Sequence, residues 1–203
     1  MRVVLATANP DKAKEIVAIL TAASIDVVPR PDWLDEVEET GATIEENAAL
    51  KAAFVAHATG LTAVGDDTGL FVEALDGAPG VYSARYAGEH ATYADNVAKL
   101  LEALHGASPP RRARFETAAV LVTPDARRIV TVGSVHGEIT TAPRGHHGFG
   151  YDPVFVPDDC AGRTLAELAD DEKHAVSHRG RAFRALADAL RQEGLDGRSG
   201  GLS

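Results

Sequence analysis

The sequence predicts an α/β fold with a mixed sheet and flanking helices. Three observations carry this. Short apolar, β-branched runs recur along the chain: Val3-Val4-Leu5-Ala6, Ile25 to Val28, Leu61 to Val64 and Val154-Phe155-Val156. Amphipathic helical patterns lie between them. Two longer segments, Arg114 to Val122 and Arg128 to Thr140, read as paired strands across the turn Pro124-Asp125-Ala126. With 203 residues the chain has room for one domain or two tightly joined lobes.

The first strand, Val3 to Ala6, runs into Thr7-Ala8-Asn9-Pro10-Asp11. Asn9 suits an N-cap and Pro10 the first helical position. Ala13, Ile16, Val17 and Leu20 then share one helix face. Thr43 and Glu46 form a capping box, with Ile44, Ala48, Ala52 and Val55 as the apolar stripe behind it. Leu61 to Val64 ends in Gly65-Asp66-Asp67-Thr68-Gly69, and Leu70 to Val72 continues extended. Gly77-Ala78-Pro79-Gly80 is turn chemistry. Thr92 with Asp95 opens a helix whose buried side is Val97, Leu100, Leu101 and Leu104. Gly145 to Gly150 reads as a flexible loop before the strand at Val154. Ser177 is an N-cap for the last helix, with Phe183, Leu186 and Leu190 inward. The domain is expected to span 1–193, with 194–203 a flexible Gly-rich tail.

Composition narrows the function. The chain is 45% hydrophobic and 25% charged, as expected of a globular protein. No apolar run approaches the roughly 18 residues of a membrane span, and MRVVLATANP lacks the core of a signal peptide, so the expected location is cytoplasmic. The one cysteine, Cys160, excludes a disulfide framework and a cysteine zinc cage. A net charge of -10 disfavours a long nucleic-acid grip. It still permits a small polyanion, held by local cations or by a carboxylate-bound metal.

Four segments can carry chemistry. In Thr7 to Lys14, a strand feeds a helix N-terminus, where N–H groups and the dipole attract anions; Lys12 and Lys14 add charge, although no Walker loop is present. In Gly65 to Gly69, two carboxylates sit between glycines; on a strand they point to opposite faces, so one of them enters a given site, where it can ligate Mg²⁺ or take a proton from water. In Phe149-Gly150-Tyr151-Asp152-Pro153, Phe149 offers a stacking face for a flat base and Asp152 accepts hydrogen bonds. Lys173 with Ser177-His178-Arg179 supplies donors near a helix start. The pair His146-His147 reads as a solvated loop in preference to a zinc site.

Taken in order, TANPDK, EETG, GDDTGL, GAPGVYSARYAG, FGYDP and EKHAVSHRG resemble the inosine/xanthosine triphosphate pyrophosphatase family, the non-canonical purine NTP pyrophosphatases. The resemblance runs from about Arg2 to Arg191. It implies a two-lobed α/β fold around a long mixed sheet, with the active site in the cleft between lobes, and a homodimer. It implies Mg²⁺-dependent hydrolysis of ITP, dITP and XTP to the monophosphate and pyrophosphate, cleansing the nucleotide pool. By position, it implies that Thr7, Ala8, Asn9, Pro10, Asp11 and Lys12 bind the triphosphate. Glu38 and Asp67 match the metal-binding carboxylates, with Glu39 the alternative to Glu38. Asp67 also matches the proton acceptor and Thr68 a substrate contact. Phe149, Gly150, Tyr151 and Asp152 match a nucleotide-binding segment, and Lys173, His178 and Arg179 the remaining substrate contacts.

Two competing readings are a Maf-type nucleotide pyrophosphatase and a nucleotide sensor without catalysis. FGYDP and SHR argue against the first, Asp67 and Lys12 against the second. No nucleic-acid or membrane partner is expected. The donors of Lys173, His178 and Arg179 favour a purine 6-oxygen over adenine's amino group, so ITP and XTP are expected to exceed ATP, with GTP intermediate or poor.

Overall fold

The computed structural model describes residues 1–194. The expected tail therefore lies, beyond its first residue, outside the described residues. In chain order the elements are β1 (Arg2–Leu5), α1 (Pro10–Ala22), β2 (Asp26–Val28), α2 (Ile44–Thr59), β3 (Ala63–Val72), β4 (Pro79–Gly80), α3 (Tyr93–Ala103), β5 (Arg112–Val122), β6 (Arg128–Ile139), β7 (Phe155–Pro157), α4 (Asp170–Val176) and α5 (His178–Gln192). They form an α/β fold on a mixed, open sheet of order β2-β1-β3-β5-β6-β7, with β4 beside β3. β1 pairs in parallel with β2 and β3, whereas β4 on β3 and β7 on β6 are antiparallel.

The chain divides into two compact units. The first holds residues 1–67, 117–133 and 179 onward; the second holds 68–116 and 134–178. β3, β5 and β6 each pass from one unit to the other along their length. In the first unit, Val3 and Leu5 of β1, Ile16 and Leu20 of α1, Leu121 of β5, and Phe183, Leu186 and Leu190 of α5 form the core. In the second, Leu70, Leu100 and Leu104, Phe115, Val154, Phe155 and Leu165 do so.

Local signals fix most helix starts. Asn9 accepts from the N–H groups of Asp11 and Lys12, with Pro10 in the first turn. Thr43/Glu46 and Thr92/Asp95 are both closed capping boxes. Three expectations shift. Val17 is 38% exposed, and Glu15 and Ile19 are buried instead, so the inner face of α1 is rotated. Asp152–Val154 forms a 3-10 turn, and β7 starts only at Phe155. β3 does not stop before the acidic pair but runs unbroken through it to Val72. Gly65 makes this possible on one face: a Cβ there would lie 2.4 Å from the Ala48 carbonyl oxygen, so only glycine lets α2 approach so closely.

Candidate active site

In the first unit the charged groups gather around Asp66 and Asp67, both buried in β3. Strand alternation sends them apart, as the sequence predicts. Asp66 meets Lys12 of α1 at 3.3 Å and Arg179 of α5 at 3.5 Å. Neither Asp66 oxygen has a hydrogen-bond partner among the described residues, so longer ion pairs alone hold this carboxylate. Asp67 faces α2: Lys51 Nζ stands 3.2 Å from its Oδ1, and Asn47 Nδ2 donates to Oδ2 at 3.4 Å. Lys12 also reaches Asp67, at 3.8 Å. Lys51 in turn holds Glu39 at 2.8 Å, and Arg179 Nη1 holds Glu15 at 2.6 Å.

These ion pairs join four carboxylates (Glu15, Glu39, Asp66, Asp67) to three cations (Lys12, Lys51, Arg179) among the described residues. The two aspartates respond differently. Burial pushes the Asp66 carboxyl up, but Lys12, Arg179 and Lys51 outweigh it and hold it below its usual range. Asp67 lies above its usual range: burial raises it, Lys51 and Lys12 offset only part, and the charges of Glu39 and Asp66 raise it further. Lys51 is also raised; burial opposes its charge, and Asp67, Asp66 and Glu39 more than compensate. A buried carboxylate with a raised pKa, beside two further carboxylates, is suited to accept a proton or a cation.

The segment Thr7 to Lys12 is arranged by its own hydrogen bonds. Thr7 Oγ1 accepts from the Asn9 N–H at 3.2 Å, and Asn9 Oδ1 accepts from the N–H groups of Asp11 at 3.0 Å and Lys12 at 3.1 Å. The helix end the sequence offers to phosphate is therefore already capped by Asn9. Ala8 and Pro10 are exposed, Thr7 is buried, and Lys12 reaches back to the aspartates. Glu38 is exposed and makes no ion pair among the described residues, whereas Glu39 is tied to Lys51.

In the second unit a smaller cluster forms around Asp152. Its Oδ2 accepts from Lys173 Nζ at 2.5 Å and from the Phe149 N–H at 2.8 Å. Lys173 is 2% exposed and its ammonium lies 4.8 Å from the Phe149 ring centre. Gly148, at φ +71°, permits this turn: a Cβ would sit 2.1 Å from Asp152 Oδ2. Gly150 takes φ +62°, which also favours glycine. Tyr151 is buried and donates to the Ser83 carbonyl at 2.9 Å. Its hydroxyl is pushed well above the usual tyrosine range by burial, then by Tyr86, so it stays protonated. His178 is buried with its ring stacked on Phe115 at 4.5 Å, and Thr68 is half-buried in β3. Tyr93, at the start of α3, packs against Phe149 at 5.7 Å. His146 and His147 are exposed, their N–H groups donating to the Ala166 carbonyl.

The structure thus joins Lys12, Asp67 and Arg179 in the first unit, and Phe149, Asp152 and Lys173 in the second. Sequence reasoning missed Glu15, Asn47 and Lys51. A signal for the last two was present: Asn47 and Lys51 fall on the same face of α2 as Ile44, Ala48, Ala52 and Val55, where a surface polar residue has no place.

Comparison with known proteins fits this arrangement. The Ham1 family model matches residues 3–189. The dITP/XTP pyrophosphatase of Shigella flexneri is 49% identical over 195 residues, covering 94% of this chain and 98% of that protein. That of Geobacter sulfurreducens is 48% identical over 198 residues, covering 96% and 99%. The solved structure of a HAM1 protein from Coxiella burnetii superposes with a TM-score of 0.85 at 41% identity, over 95% of this chain and 99% of that one. With its carboxylate pair, its capped first helix and its FGYDP turn all inside the matched span, this chain belongs to the Ham1 family.

Proposed function

We infer that the chain is a nucleoside triphosphate pyrophosphatase that hydrolyses ITP, dITP and XTP to the nucleoside monophosphate and pyrophosphate, and so clears non-canonical purines from the nucleotide pool. The observation that carries this reading is identity of nearly half the residues, over almost the whole chain, with proteins named dITP/XTP pyrophosphatase. The buried carboxylate cluster around Asp67, with its raised pKa, supports it independently.

The cluster also fits a hard divalent cation. Its donors are carboxylate oxygens, and among the described residues Asp66 has buried oxygens without hydrogen bonds. Among the described residues no three His, Cys, Asp or Glu side chains converge on one point. Mg²⁺ suits such a ligand set, because it keeps several waters and takes further ligands from substrate phosphates. We assign Asp67 and Glu38 as its protein ligands: Glu39 is committed to Lys51, and its exposed neighbour Glu38 is not so committed. When bound, the ion supplies positive charge to the phosphate oxygens.

Asp67 takes the proton of the water that attacks the α-phosphorus. Lys12 neutralises the phosphates, and Thr7 to Asp11 seat them, with the amide of Asn9 exchanging its own cap contacts for the substrate. Arg179 serves this phosphate side, because its ion pairs with Glu15 and Asp66 put it with Lys12. Phe149 stacks on the base, and Gly150 and Tyr151 shape the turn that holds it. Lys173, fixed by Asp152, and His178 supply donors suited to a purine 6-oxygen, and Thr68 contacts the substrate next to Asp67. We further propose a homodimer, tested by sedimentation, and a cytoplasmic location, where a nucleotide pool is found.

The test of the activity is to incubate the protein with ITP, dITP, XTP, dUTP and ATP plus Mg²⁺ and identify products. Pyrophosphate from ITP, dITP and XTP in preference to ATP is the expected result. Orthophosphate release, preference for dUTP, or tight binding without turnover overturns it.

A further inference from the structure

Arg111 plays no part in the proposed reaction, yet it is 7% exposed, just ahead of β5. Its Nε donates to the Ile139 carbonyl at 3.0 Å, the only side-chain hydrogen bond it makes among the described residues; Nη2 is buried without an acceptor. A guanidinium carries five N–H donors, and burying the two on Nη2 without an acceptor is costly. Arg111 lines a cavity of about 360 Å³, within the size range of small-ligand sites. The other polar walls are Glu138, Thr140, Thr141 and Arg144.

The wall charges are unequal. Arg144 Nη2 donates to the Gly162 carbonyl at 2.7 Å, and its Nε lies 3.7 Å from Glu167, which is not part of the wall. Thr140 directs its hydroxyl to the Ala142 carbonyl at 2.8 Å. Two arginines therefore face the cavity against one carboxylate, Glu138. None of these residues belongs to the candidate active site.

We propose that this cavity is a second binding site, for a small oxyanion that presents two acceptor oxygens on one centre, a carboxylate or a phosphate group, seated on Arg111 and flanked by Arg144. Guanidinium groups bind such oxyanions through paired N–H donors, and an occupant of this kind would satisfy the donors the fold leaves unmatched.

The test uses the whole chain, isotope-labelled for NMR and titrated with sodium phosphate, sodium acetate and sodium chloride at matched ionic strength. Saturable shifts of the Thr140, Thr141 and Gly162 amide signals with phosphate or acetate, half complete at about 1 mM or below, are expected. The tighter of the two anions identifies the headgroup. Shifts confined to residues 9–12 report the active site, and Lys12→Ala removes them without touching the cavity signals. Arg144→Gln is expected to weaken the cavity response about fivefold, and Arg111→Lys further. Should the Arg111 variant fail to fold, the exposed Arg144 variant and the anion selectivity of the wild type decide. Absence of saturable shifts up to about 20 mM, equal shifts with chloride, or an unchanged response in Arg144→Gln overturns the proposal.

Discussion

In the first unit, Glu15, Glu39, Asp66 and Asp67 share ion pairs with Lys12, Lys51 and Arg179. In the second, Asp152 meets Lys173, 21 positions along the chain, and the backbone N–H of Phe149. Both clusters are buried, but in the first, burial and the neighbouring Glu39 and Asp66 push the Asp67 carboxyl up despite its lysines. The difference separates two uses of a buried ion pair. A closed pair fixes a shape, here the turn that presents Phe149. A cluster that holds a carboxylate with a raised pKa keeps a group ready for a proton or a cation, at the cost of some stability beforehand.

The sharpest way to break this comparison is to neutralise one aspartate in each unit. Asp67→Asn is expected to lower kcat by about 10²-fold or more, because asparagine ligates a cation poorly and cannot take a proton. Its melting temperature is expected to equal or exceed that of the wild type, since Lys51 keeps Glu39 at 2.8 Å and Lys12 keeps Asp66 at 3.3 Å. The gain should depend on pH. Asp67 has a folded pKa above its unfolded value of 3.8, so at lower pH both states are protonated and it contributes nothing. As pH rises through that value, the unfolded state ionises first and folding is penalised. The variant should therefore match the wild type near about pH 3 and be the more stable at neutral pH. A melting temperature well below wild type at neutral pH would show that Asp67 supports the fold.

In the second unit the opposite is expected. Lys173→Met removes the ammonium from the buried Asp152 carboxylate and should cost about 3–5 kcal/mol, read by urea unfolding. Stability within about 1 kcal/mol of wild type would mean that the pair is not closed.

Arg179 sharpens the contrast at the level of specificity. Its partners Glu15 and Asp66 place it with the phosphate-side groups, so Arg179→Ala should lower kcat/KM for ITP and ATP alike. Phe149→Ala should chiefly raise KM, by an amount equivalent to about 1–3 kcal/mol of lost stacking. A fall in the ITP-to-ATP ratio in Arg179→Ala would return that residue to base reading, as its position in SHRG first led us to expect.

The smallest expected effects separate the two glutamates. Glu38→Gln should raise the Mg²⁺ concentration for half-maximal rate by about tenfold without changing the melting temperature. Glu39→Gln should instead weaken the hold on Lys51, lowering stability by about 1 kcal/mol. The reverse pattern would make Glu39 the ligand.

Much of this was legible in the sequence where the cause is local. Asn9-Pro10, Thr43 with Glu46, and Thr92 with Asp95 cap helices using atoms within three residues, and all three form as read. The alternation of Asp66 and Asp67 to opposite faces was legible for the same reason. What was not legible depends on residues far apart in the chain. Glu15 turns inward, and Val17 outward, because Arg179 arrives from 164 positions away. β3 continues through two carboxylates because Lys12, Lys51 and Arg179 converge on them, which no window of sequence contains. Lys51 was discernible only as a polar intrusion on an apolar helix face.

The central claim is that water, activated by Asp67, attacks the α-phosphorus of a non-canonical purine triphosphate. Hydrolysis of ITP in water enriched in heavy oxygen, followed by mass spectrometry of both products, tests it directly. The label is predicted in the monophosphate and absent from pyrophosphate, with Asp67→Asn forming neither product at an appreciable rate. Label in the pyrophosphate, or release of orthophosphate, would contradict the account.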